Sequence, residues 1–277
     1  MRRTLAGLLF GLAYLCASLT VAGFLLQRTA FDPGYTADHA DVVLDDPQIQ
    51  AELVNVIAGS LAAQAQAAGL TDPSLTEQAL RDRVTLVAGT APGAALMADI
   101  IHDVHAVLIG EQEGPVVITP EQLVDATQNQ AAAVAQPIEV PVETVGALDV
   151  ADGVLGWLVP IAAIATLALV VLGLAAHPER SALFRSLGLG LLVLALLAAL
   201  LGYVVPKFLV PVLSDSPWAR IPATLADDSL PLLVALDLLL VGGALALLAG
   251  TGIMRRRKRW STPVNTYRYQ EERRWSG

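Results

Sequence analysis

Residues 154–176 read VLGWLVPIAAIATLALVVLGLAA, 23 consecutive residues without a charged side chain. An α-helix rises 1.5 Å per residue, so about 20 residues cross a hydrocarbon core of about 30 Å. Backbone polar groups in lipid have no water to bond, so such a run must be helical. Three more stretches have this character. Residues 4–26 and 186–206 are uncharged, and residues 231–253 carry one acid, Asp237. The pattern predicts an all-α chain with a four-helix transmembrane bundle.

Composition agrees. Of 277 residues, 55% are hydrophobic and 16% charged, whereas soluble domains carry about 25% charged residues. The net charge of −9 excludes a nucleic-acid binder, and the single Cys16 excludes an intrachain disulfide framework or a thiolate metal cluster. The first run is too long for the apolar core of a signal peptide, and Leu15 is too bulky to precede a lipidated Cys16. Residues 1–26 are therefore expected to be an uncleaved anchor.

Lys and Arg set the expected orientation. With the N-terminus, the 177–185 turn and the C-terminal tail inside, 12 of the 17 bases are cytoplasmic, among them Arg255, Arg256, Arg257, Lys258 and Arg259. Residues 27–153 and 207–230 then lie outside a plasma membrane, and residues 254–277 form a basic cytoplasmic tail. With Trp260, the run 255–259 is expected to lie on lipid headgroups.

The 27–153 segment is acidic, with 19 acids against 3 bases. Its start signals predict a mainly helical extracytoplasmic domain. Asp46-Pro47 opens a helix with Ile49, Leu53, Val56, Ile57 and Leu61 on one stripe. Ser74 with Glu77 reads as a capping box, Pro92-Gly93 as a break, and Gly110 as a helix end. Thr119-Pro120 opens a helix expected to run to Pro137. Two β-prone runs, Val116–Ile118 and residues 138–142, can pair as a short β ribbon.

Asp237 lies about 10 Å inside the fourth span at 1.5 Å per residue, where an unpaired carboxylate costs a few kcal/mol. The expectation is a polar clasp to Lys207 or Tyr203. The rival reading is a proton or ligand site. Gly7 and Gly11, Ala198 and Gly202, and Gly242, Ala246 and Gly250 stand at helix spacing and predict close packing, within the bundle or with another protein. His102 and His105 share a helix with Asp99 and Asp103. A buried structural His105 is the expected reading, and neither metal nor cofactor is expected. No HExxH, GxSxG or phosphate-binding loop occurs, so no enzymatic activity is expected.

The Asp46-Pro47 helix start, His105-x-x-Leu108 before Gly110, the Val116–Pro120 run and the turn at residues 178–180 give the chain its resemblance. In this order of parts it resembles a class of actinobacterial four-span integral membrane proteins with an outer helical domain. In layout, and in its basic Trp-Ser-x-Pro tail at Trp260–Pro263, it also resembles an accessory subunit of mycobacterial cell-entry (Mce) type lipid importers. That likeness implies helix contacts with a permease and an outer domain beside lipid-carrying subunits. The expected role is a non-enzymatic accessory or scaffolding protein of a cell-envelope complex, with a lipid-transport system among the candidates. Its partners would be membrane lipids and other integral membrane or envelope proteins. The alternative is a small oligomeric transporter or channel using Asp237.

Overall fold

The computed structural model describes residues 2–70, 72–176 and 180–260, and side chains over residues 7–70, 72–175 and 184–250. The described residues are mostly helical, with one two-stranded sheet. Among the described residues, five helices are long and apolar enough to cross a membrane.

Four of these pack on one another. Helix α1 (Arg2–Ala30) lies against α8 (Gly146–Ala176) and α9 (Arg180–Ala199), and α10 (Ile221–Trp260) lies against α9. Glycines set the close approaches. Gly23 meets Val159, Gly173 meets Phe10, Gly190 meets Tyr14, and Gly202 meets Leu25 and Leu233. These pairings make α1 antiparallel to α8 and parallel to α9, while α9 and α10 run antiparallel. The outward faces carry a sheath of exposed apolar residues, including Trp157, Ile164, Leu167, Leu238 and Leu239. A water-soluble monomer does not tolerate such a sheath; it fits a membrane protein.

Between α1 and α8 the chain builds a second body. Its helices are α2 (Pro33–Asp38), α3 (Ala40–Leu44), α4 (Pro47–Ala67), α5 (Glu77–Ala88), α6 (Ala91–Ile109) and α7 (Pro120–Thr127). One device starts most of them: a side-chain cap followed by proline, which needs no N–H in the first turn. Asp32-Pro33, Asp46-Pro47 and Thr119-Pro120 are examples, the last a full capping box with Gln122. The expected ribbon is present. β1 (Val116–Ile118) pairs antiparallel with β2 (Ile138–Val140), Val116 opposite Val140.

Helix α6 is the hub. It is apolar enough to span a bilayer, yet most of it is enclosed by α2, α3, α5, α7 and β1. The core around it is continuous with the ends of the long helices. It takes in Leu26 near the end of α1 and Phe31 just past it, and Trp218 in the turn before α10 with Ile221 and Leu225 at its start.

Several boundaries differ from expectation. Residues 207–230 are not a free loop, because α10 begins at Ile221 and runs through Pro231. The third apolar run changes from α9 into a π-helical segment, Leu200–Leu209, which contains Pro206. Proline has no N–H to donate to the helix ladder. Ser74 caps nothing, since Asp72-Pro73 forms a 3₁₀ turn and Thr76 caps α5. Pro92-Gly93 sits inside the first turn of α6, capped by Thr90. Helix α7 stops at Thr127 because Gln128 is left-handed, at φ 53°.

Candidate functional site

The most distinctive chemistry lies where α1 enters the second body. Ala30, at the end of α1, leaves its carbonyl free of helix partners. His105 of α6 reaches it, with Nε2 at 3.1 Å, while Nδ1 lies 2.6 Å from the Thr36 hydroxyl. A carbonyl only accepts, so Nε2 carries the proton and Nδ1 accepts from Thr36. His105 is fully buried, and burial pulls its pKa down to about 4, outweighing the Ala30 bond. It is a neutral structural clamp.

Outside this clamp is a cleft of about 830 Å³ lined by Arg28, Asp32, Tyr35, Asp38, His102 and Glu111, together with Phe24 and Phe31. The Arg28 guanidinium lies 4.5 Å above the Tyr35 ring. The Asp32 carboxylate accepts from the Tyr35 backbone N–H at 2.9 Å, capping α2. Burial raises the Glu111 carboxyl, and the charges of Asp152 and Asp32 raise it further. Arg28 and Tyr35 also line a narrower slot of about 190 Å³ between α1, the π segment and α10. Its other walls include Leu25, Gly202, Asp228, Leu232 and Leu236.

A second junction ties the body to α10. The Asp46 Oδ1 caps α4 through the N–H groups of Gln48 (2.8 Å) and Ile49 (3.4 Å). Its Oδ2 accepts from Arg220 Nε (3.0 Å) and Nη2 (2.8 Å), 174 residues away. Beside it, the Trp218 indole N–H donates to the Pro141 carbonyl at 3.2 Å.

The clasp expected for Asp237 is not formed. Lys207 pairs with Asp227, and the Tyr203 hydroxyl donates to the same carboxylate at 3.2 Å. Asp227 is ten residues nearer the polar end of α10, where both groups keep contact with water. Asp237 shares the inward stripe of Leu233, Leu240 and Ala244. The meetings of Gly202 with Leu233 and of Gly188 with Ala244 put it level with Ala198. Its Oδ1 is buried and has no hydrogen-bond partner among the described residues.

The small residues divide. Ala198 and Gly202 are buried between helices. Gly7, Gly11 and Gly242 have open space where a Cβ would stand, as does Gly250, and Ala246 is exposed. Instead, Gly243 and Ala244 face α9. The side chains of Arg255, Arg256, Arg257, Lys258, Arg259 and Trp260 lie outside the described residues, although the α10 backbone continues to Trp260. Among the described residues, no three His, Cys, Asp or Glu side chains gather as metal ligands.

Sequence reasoning missed Arg28, Tyr35, Glu111 and the Asp46–Arg220 pair. Arg28 carried one usable signal, as the first charge after 24 uncharged residues; the others meet only through tertiary contacts. Comparison with protein-family models, curated proteins and solved structures yields no match to this chain.

Proposed function

We propose that the chain is a non-enzymatic accessory scaffold of a cell-envelope complex. In this reading α1, α8, α9 and α10 span the plasma membrane, with both termini cytoplasmic and the acidic body outside. Helix α6 stays in that body, because its apolar surface is already covered by protein. The carrying observation is the unbroken core running from Leu26 and Phe31 through α6 to Trp218 and Leu225. Reinforced by the His105 and Asp46–Arg220 junctions, it leaves no hinge between body and membrane helices. A body held at fixed height and angle suits positioning of a partner. The open faces at Gly7–Gly11 and Gly242–Ala246–Gly250 leave room for a neighbouring helix. Among envelope complexes a lipid-transport system fits best, since Arg28 and Tyr35 line both a more polar cleft and a more apolar slot.

The test is crosslinking in intact membranes followed by purification of the full chain in mild detergent. A companion in fixed ratio is expected, and it should be lost from a Gly242→Leu/Ala246→Leu variant whose own fold is retained. A chain that emerges alone and monomeric refutes the reading. The unpartnered Asp237 Oδ1 favours a second reading, an oligomeric proton-coupled transporter. There Asp237→Asn abolishes the pH dependence of flux in liposomes, and flux unchanged by the substitution removes it.

A further inference from the structure

We propose that the cleft and the slot that share Arg28 and Tyr35 form one binding site for an outer-leaflet phospholipid with an amine-bearing, zwitterionic headgroup. The headgroup occupies the cleft, and the first part of one acyl chain occupies the slot. The inference rests on the membrane placement proposed above and gives that scaffold a ligand.

Three observations carry it. The first is the polarity gradient along the slot. From Asp228 to Leu236 the α10 wall descends about 12 Å at 1.5 Å per residue. It passes from Asp228 and Ser229 to Leu232, Leu233 and Leu236, while α1 lines the same slot with Leu25, Arg28 and Thr29. That is the order in which a lipid passes from headgroup to tail. The second is adjacency: Arg28 and Tyr35 line both cavities, so the two lie on either side of one pair of side chains. A ligand reaching across that pair must be amphipathic, and Arg28 stands where a phosphate joins the two parts.

The third is charge. Among the described residues, Asp32, Asp38 and Glu111 line the cleft with Arg28 as the one guanidinium, and Arg28 is parked on Tyr35. A headgroup amine supplies the balancing cation, whereas a headgroup with net negative charge meets three carboxylates. Among the described residues, these acids form no metal-ligand group. An ammonium group, which can donate to several separate carboxylates at once, suits this better than a metal ion. Burial raises the Glu111 carboxyl most, and the nearby charges of Asp152 and Asp32 add to the rise.

The full-length protein is reconstituted in nanodiscs of equal phosphatidylethanolamine and phosphatidylglycerol, extracted gently, and its retained lipid counted by native mass spectrometry. One lipid per chain is expected, with about fivefold preference for phosphatidylethanolamine, equivalent to about 1 kcal/mol at tenfold per 1.4 kcal/mol. Asp38→Asn/Glu111→Gln should return the preference to parity. Leu236→Trp, which fills the slot, should lower retention of both lipids. Soluble phosphoethanolamine should not displace the lipid. Equal retention of the two lipids by the wild-type chain overturns the proposal, as does unchanged preference in the double variant or full displacement by the soluble headgroup. Amide-exchange protection of α6 reports whether each variant has kept its fold. Protease added outside cells separates the two readings. Cleavage near Glu77 with no lipid preference removes the lipid site alone, and protection of Glu77 removes the membrane placement as well.

Discussion

Asp46 holds two structures with two oxygens, and its substitutions separate them. Oδ1 caps α4, and Oδ2 holds Arg220 at the foot of α10. Asp46→Asn keeps a capping oxygen and puts an amide N–H₂ in front of the guanidinium. Asp46→Ala removes both functions, and Arg220→Met removes only the partner. A lost cap costs about 1 kcal/mol. A hydrogen bond to a charged group contributes about 1.5–3 kcal/mol. Arg220 is 44% exposed, however, and water screening brings the pair to about 1 kcal/mol. Asp46→Asn and Arg220→Met should therefore each cost about 1 kcal/mol, and Asp46→Ala about 2. The Asp46→Asn/Arg220→Met double variant should also cost only about 1, because the second change removes nothing further. One kcal/mol is about fivefold in a local opening equilibrium, readable from amide exchange at Ile49–Leu53.

The pH dependence is a second reading of the same pair. Burial, the largest influence, pushes the Asp46 carboxyl up. The Arg220 hydrogen bond, the Gln48 and Ile49 N–H groups and the Arg220 charge together hold it below the ordinary 3.8. The pair's contribution is thus complete above pH 3.8 and lost as pH falls through the lower folded value. The gap between wild type and Asp46→Asn should close in that range. Costs that simply add in the double variant, or a gap that persists at low pH, would refute the coupling of body to α10.

Three further outcomes follow from single sites. His105, held at about 4 against an ordinary 6.5, stays neutral when folded but takes up a proton when unfolded. Stability of the acidic body should fall by about 3 kcal/mol as pH drops from 6.5 to 4; proteolysis of the body against pH would show this, with a flatter slope in His105→Asn. A methyl group on Gly93 would stand 1.9 Å from the Val87 carbonyl oxygen, so Gly93→Ala must open the α5–α6 corner, with an expected loss of about 3 kcal/mol in thermal unfolding. Gly110 caps α6 at φ +86° with Asp149 2.8 Å from where a Cβ would stand. Gly110→Ala should cost about 2 kcal/mol from left-handed strain and crowding, and unchanged amide protection at the end of α6 would contradict this.

The sequence by itself determined the four long apolar helices, the Asp46 and Thr119 helix starts, the end of α6 at Gly110 and the short ribbon. Each depends on a rule that acts within a few residues: hydrophobic length, a cap, a left-handed glycine, a β-branched run. Only the tertiary structure decided that α6, apolar enough for lipid, is wrapped by protein, and that Lys207 and Tyr203 meet Asp227 rather than Asp237. The same holds for Asp46 reaching Arg220 and for Arg28 and Tyr35 dividing two cavities. These depend on which helix faces meet. Helix periodicity says that a residue belongs to a face; the partner across it is set by packing between segments tens to hundreds of residues apart, where no local pattern carries a signal.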